Sequence, residues 1–207
     1  MLKTYLNHII MKTKIIRKMK TKTFVLAYII MLSGSAMFAQ KAEVNIQKTT
    51  VEWLGKKIGG KHEGNIQLKS GYLELKEGEI VAGSFVVDMT SITNTDLKDE
   101  GSNQKLVGHL KSDDFFGVQT YPTAEFVVTK SSKSNNGTAT LTGDITIKGN
   151  TESISFEVVR AGKEYTAKLD IDRSKFDVRY GSKSFFDNLG DKAINDIFTL
   201  DIKLVVI

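Results

Sequence analysis

The chain has 207 residues, no cysteine and one proline, which excludes a disulfide framework, a thiolate metal site and a lipidated cysteine anchor, and allows one domain with a sizeable core or cavity. Its formal charge is +5. Seven of the basic residues (Lys3, Lys12, Lys14, Arg17, Lys18, Lys20, Lys22) precede residue 40 with no acid among them, so the basic balance belongs to the leader and gives no sign of a nucleic-acid partner.

That leader has the three parts of a secretory signal. Lys12 to Lys22 form a basic stretch, and Met19 is a second plausible start within it. Phe24 to Leu32 form an apolar stretch too short to span a bilayer comfortably. Small residues follow, with cleavage expected after Ala36 or Ala39. The reading is a signal peptide over 1–39 and one mature domain over 40–207, periplasmic or secreted, without stable membrane insertion after cleavage.

From Val44 onward the apolar residues recur every second position, the pattern of half-buried strands. The first runs are Val44 and Ile46, Val51 and Trp53, Ile66 and Leu68, Leu73 and Leu75, then Phe85, Val87 and Met89. Thr95 to Leu110 is polar until its last residues and reads as a loop ending in a short helix. The run Gly108 to Phe116 sets Asp113 and Asp114 against Phe115 and Phe116, a polar turn carrying an aromatic pair. Pro122 forces Tyr121 into extended geometry and opens a strand with Ala124, Phe126 and Val128 on one face.

The later strands are the cleanest: Ala139 to Ile147, Ile154 to Val158, Tyr165 to Ile171 and Phe198 to Val206. Asp177 to Ala193 interrupts them with a second aromatic pair, Phe185-Phe186, beside Asp187. Both aromatic-pair loops are expected near one barrel mouth. Ser70-Gly71, Glu77-Gly78, Asn136-Gly137, Gly149-Asn150 and Gly162-Lys163 are expected hairpin turns. Such short connections make sequential strands antiparallel.

About eight strands with one apolar face each hide those faces best in a closed antiparallel barrel, which also removes exposed edges. A barrel of that size is either filled or holds one small ligand. Small residues at inward positions (Gly55, Ala124, Ala139, Gly143, Ala167) favour an elongated apolar cavity. Its expected lining is Trp53, Phe85, Val87, Met89, Leu110, Phe115, Phe116, Phe126, Leu141, Ile145, Phe156, Leu169 and Phe185. His62, His109, Asp114 and Arg173 are candidates for a head group at the mouth. The competing reading is a filled barrel serving as a structural or stress-related interaction module.

Enzyme readings find little support. His62 and His109 could join Glu63, Asp113 or Asp114 on a metal, but no HxH or HxxxH pair exists. Ser112, His109 and Asp113 or Asp114 have the residue types of a hydrolytic triad without a nucleophile elbow. Arg173 is read either as a phosphate clamp or as an ion pair at a strand end.

These residues resemble the YceI-like family of secreted lipid- or polyisoprenoid-binding proteins. The resemblance is carried by Trp53 to Lys57, Gly60 to Gly64, Val87 to Ile92, His109 to Phe116, Tyr121 to Phe126, Gly143 to Gly149 and Asp172 to Phe176, in that order and spacing. It implies an eight-stranded, lipocalin-like, all-β barrel with one or two short helices in loops. The implied ligand is an isoprenoid or quinone-type lipid, with no catalytic residues, metal, cofactor or nucleic acid. Monomer and dimer both stay open. Many members place a histidine where this chain has Lys148, which questions any head-group role for that position here.

Overall fold

The computed structural model describes residues 39–207; the expected signal peptide lies almost wholly outside them. Nine strands form one continuous antiparallel sheet: β1 (Gln40–Glu43), β2 (Thr50–Lys57), β3 (Gly60–Lys76), β4 (Glu79–Asp88), β5 (Thr123–Ser131), β6 (Thr138–Ile147), β7 (Asn150–Ala161), β8 (Glu164–Asp172) and β9 (Ile194–Val205). Each strand pairs with its sequence neighbour from β2 onward, β9 pairs back to β2, and β3 to β4 closes the ring. β1 and β2 lie end to end along one edge of β3, joined by a 3-10 turn at Ile46–Lys48, so the barrel has eight staves. This is the closed eight-stranded barrel that the alternation predicts.

Three of the expected turns owe their geometry to residues that tolerate positive φ. Glu77-Gly78, Asn136-Gly137 and Lys148-Gly149 all have both residues in the left-handed region, the geometry that matches strand twist. Gly162 also bends there. The fourth turn is thus centred one residue earlier than Gly149-Asn150.

Ser70-Gly71 is not a turn. β3 continues through it with a bulge between Leu68 and Ser70. Gly71 is small because a Cβ there would lie 2.7 Å from the Phe85 ring and 3.3 Å from Val44. A strand glycine marks close packing as readily as a bend.

The barrel has unlike ends. At one, short turns connect the staves, and Arg160 closes them by donating from Nη1 to the Gly78 carbonyl and from Nε to that of Gly162. The other carries α1 (Glu100–Lys111), capped by Asp99 Oδ1 accepting from the Ser102 N–H, and both aromatic loops. A strap at Thr93–Asp96 covers the part of the β3 edge that β4 leaves free: Thr93 and Thr95 N–H groups donate to Asn65 and Glu63 carbonyls.

Candidate functional site

The barrel interior holds two apolar compartments stacked along its axis. Each has a cavity of about 120 Å³. They share Val51, Val87, Ile145 and Leu200, which form a waist between them. An apolar cavity on the order of 150 Å³ stays dry and accepts small apolar guests, and two in line suit a slender chain. Arg173 and Asn195 are the polar side chains around the first compartment, Thr166 and Tyr165 around the second.

The aromatic turn closes the first compartment. Ser112 ends α1, its Oγ donating to the His109 carbonyl, and the Phe115 and Gly117 N–H groups donate to the Ser112 carbonyl. This tight turn drives Phe115 and Phe116 inward, where both are buried with rings 5.0 Å apart. Phe116 also meets Phe198 edge-on. Lys148 ties this loop to the second one: its Nζ donates to the Asp113 and Asp177 carbonyls, both at 3.1 Å. Lys148 is therefore a clamp between the two loops.

Arg173 is 2 % exposed. Its Nε, Nη1 and Nη2 donate to the carbonyls of Asn195, Val178 and Ile194, its Nη2 lies 3.3 Å from Asp196 Oδ1, and its guanidinium packs over Phe115. Burial lowers its pKa, against the opposing pull of Asp196 and Asp172. With its donors committed to the protein, Arg173 fastens the second loop to β9 rather than presenting a fork to a phosphate.

The expected lining is placed as follows. Trp53, Met89, Leu110, Phe115 and Phe116 face the first compartment, and Phe85, Phe126, Leu141, Phe156 and Leu169 face the second. Val87 and Ile145 stand at the waist. Phe185 does not line the interior. It is 39 % exposed, with Arg179 stacked over its ring, and Phe186 beside it is 49 % exposed. The two loops do meet at one end, where Asp113, Asp114, Asp177, Tyr180 and Phe186 border one surface depression. Only the first pair turns inward.

The mouth candidates do not converge. Arg173 borders the first compartment, whereas Asp114 is exposed at the surface depression. His62 Nδ1 lies 2.9 Å from Asp96 Oδ2 on the strap. Desolvation raises the Asp96 pKa, but hydrogen bonds from the Glu63 N–H, His62 and Asn94 outweigh it and hold the group down at about 2. His109 sits edge-on between Phe115 and Tyr180, its Nε2 buried without a partner. Among the described residues no three of His, Asp and Glu gather as metal ligands, and Ser112 bonds a backbone carbonyl rather than the His109 ring.

Phe198, Leu200, Ile202 and Leu204 line the interior from β9 but were absent from the expected lining, although their alternation was readable. Ile92 and Asn195 carried no such signal, because loop geometry brings them in. Gly143 leaves no room: a Cβ there would lie 2.4 Å from the Phe126 ring, which leans into its place. Gly55 does leave space, its nearest contact being the Trp53 ring at 4.0 Å.

A closed antiparallel barrel with an oily, axially elongated hollow defines a lipocalin-like binding barrel. The sequence pattern of the YceI-like domain matches residues 39–206, and the chain belongs to that family. It is 38% identical over 55 residues to a UPF0312 protein of Pseudomonas putida, and 34% identical over 55 residues to one of Shewanella denitrificans. Each match spans 27% of this chain and 29% of the relative, less than a third of those proteins' length. The crystal structure of Burkholderia cenocepacia BcnA superposes with a TM-score of 0.63 at 24% identity, covering 78% of this chain and 98% of that one. A polyisoprenoid binding domain from Saccharophagus degradans, implicated in plant cell wall breakdown, superposes at 0.55 with 13% identity, covering 80% and 97%. At these identities the two structures share the fold.

Proposed function

We propose that this protein binds one long, slender hydrocarbon chain of isoprenoid type along the barrel axis, and carries or stores it outside the cytoplasm. The single observation that carries this reading is the apolar interior, two compartments that share the wall residues Val51, Val87, Ile145 and Leu200. Each methylene-sized group removed from water contributes about 0.8 kcal/mol, so a few isoprene units bind without a directed hydrogen bond. The polyisoprenoid binding domain of Saccharophagus degradans supports the ligand class by sharing the fold.

A polyprenyl or quinone tail fits this description, with its polar head left outside. The interior polar groups favour that arrangement. Arg173 donates to three backbone carbonyls, and the Trp53 Nε1–H donates to the Thr93 carbonyl at 2.9 Å. The role is binding, with no chemical step assigned to any residue. The secretory leader supports a periplasmic or secreted location, and amino-terminal sequencing of the exported protein checks it: Gln40 or Met37 as first residue is expected.

Solvent extraction and mass spectrometry of the purified mature protein test the ligand. One long-chain lipid per protein molecule is the expected result. Protein that carries no lipid, and whose Trp53 fluorescence ignores saturating polyprenol, overturns the proposal.

A further inference from the structure

The barrel is not laced evenly. β7 and β8 form a ladder only between Val158–Ala161 and Glu164–Ala167, the shortest in the ring. Continuing that register would set Phe156 opposite Leu169 and Ile154 opposite Ile171, yet these residues are unpaired across the seam. Below Val158, β7 keeps its ladder with β6 and has no ladder partner in β8. β8 is held on its far side by β9 along its whole length. The β7–β8 ladder therefore ends at Val158, and the 3-10 turn Arg173–Phe176, which follows β8, packs against β7.

Directly behind this seam lies the second compartment. Phe156 and Leu169, the first unpaired residues facing each other, both line it, as do Val158 and Ala167 at the last laced position. Phe156 and Ile154 are only half-buried, while Ser153, Ser155, Lys168 and Asp170 are exposed and polar. A single layer of side chains thus separates the compartment from solvent.

The other ways in are fastened. At the loop-bearing end a chain would have to displace Phe115 and Phe116 together with the carbonyls gripped by Arg173. At the opposite end it would have to part turns held by Arg160. Below Val158 the seam has no strand ladder to unpair, and side chains change rotamer far more readily than strands unpair.

We propose that the β7–β8 seam is a lateral portal, through which an apolar chain enters and leaves the barrel sideways while its polar head stays in water beside Ser155 and Asp170. The portal rests on the lipid-binding reading of the cavity.

The chain has no cysteine of its own, so paired cysteines can be tethered specifically. Ser155→Cys with Asp170→Cys bridges the seam. Each substitution removes one exposed side-chain hydrogen bond, to Thr142 and from Thr199. Asp114→Cys with Lys192→Cys bridges the loop-bearing end across its surface depression. Both pairs are joined by a flexible bismaleimide, and the linked protein is isolated by mass and checked for an unchanged melting temperature. The probe is cis-parinaric acid, a slender polyene that fluoresces in apolar sites, followed by stopped flow. Tethering the seam is expected to slow uptake at least tenfold without changing the final amplitude, while tethering the loop end and the unlinked variants match the wild type. Slowing by the loop-end tether instead overturns the portal. A fluorescence rise at one common rate in every protein removes the portal alone, and no rise in any of them removes the lipid-cavity reading with it.

Discussion

Three polar side chains, two buried and one half-buried, illustrate how differently polar interactions can be resolved. Arg173 donates to three carbonyls and lies 3.3 Å from Asp196. Truncating it removes the cation beside the half-buried Asp196 and leaves three carbonyls unpaired, so Arg173→Ala is expected to lose about 3 kcal/mol in urea unfolding, and Arg173→Lys should recover little because an ammonium cannot reach all these acceptors. Tyr165 is the opposite case. It is 3 % exposed, its hydroxyl finds no partner, and burial raises its pKa. Tyr165→Phe removes an unpaid desolvation cost and should stabilise the ligand-free protein by about 1 kcal/mol. Asp96 makes stability pH-dependent. Its folded pKa of about 2 lies below the usual carboxylate value of 3.8, so its contribution is complete above that value and is lost as pH falls through about 2. A melting temperature that declines over this acid window in the wild type, and less steeply in Asp96→Asn, is the expected result.

At the scale of elements, the strap and the aromatic turn do the work that strands cannot. The strap is fixed by its approach to β3: a Cβ on Gly64 would lie 1.9 Å from the Thr93 carbonyl oxygen and 2.8 Å from Trp53 Nε1. Gly64→Ala must therefore push the strap outward and break the Trp53 hydrogen bond. The expected cost is about 1–3 kcal/mol, with a red-shifted Trp53 emission that reports water reaching the indole. The aromatic turn was legible because Asp113 and Asp114 beside Phe115 and Phe116 demand a polar outside and an apolar inside. Phe185-Phe186 has the same composition and the opposite fate. Its rings stay at the surface, because Phe116, Phe198 and Phe115 already fill that end of the barrel.

For the whole molecule, the proposed function resides in the hollow. Narrowing its waist should abolish binding without unfolding the barrel: Val87→Phe places a ring where both compartments meet, so polyprenol affinity is expected to fall at least tenfold by fluorescence titration while the melting temperature changes little. Much of this hollow was legible beforehand. Trp53, Phe85, Val87, Phe126, Leu141, Ile145, Phe156 and Leu169 all face inward as their alternation requires, since strand side chains change face at every residue. Less legible were residues whose position depends on a partner. Gly143 looked like free space and is occupied by Phe126, and Arg173 looked like a ligand clamp and is spent on backbone.

The sequence by itself determined most of the strands, which of their faces are oily, most of the tight turns and that the sheet closes on itself, because periodicity and turn chemistry are local properties of the chain; the expected turn at Ser70-Gly71 failed because that glycine serves close packing inside β3. The tertiary structure alone decided how much of the interior stays empty, which aromatic pair turns inward, which polar groups are already satisfied and where the ring of strands is left unlaced. Those outcomes depend on which side chain reaches a shared space first, and contacts between residues far apart in the chain leave no mark in its local pattern.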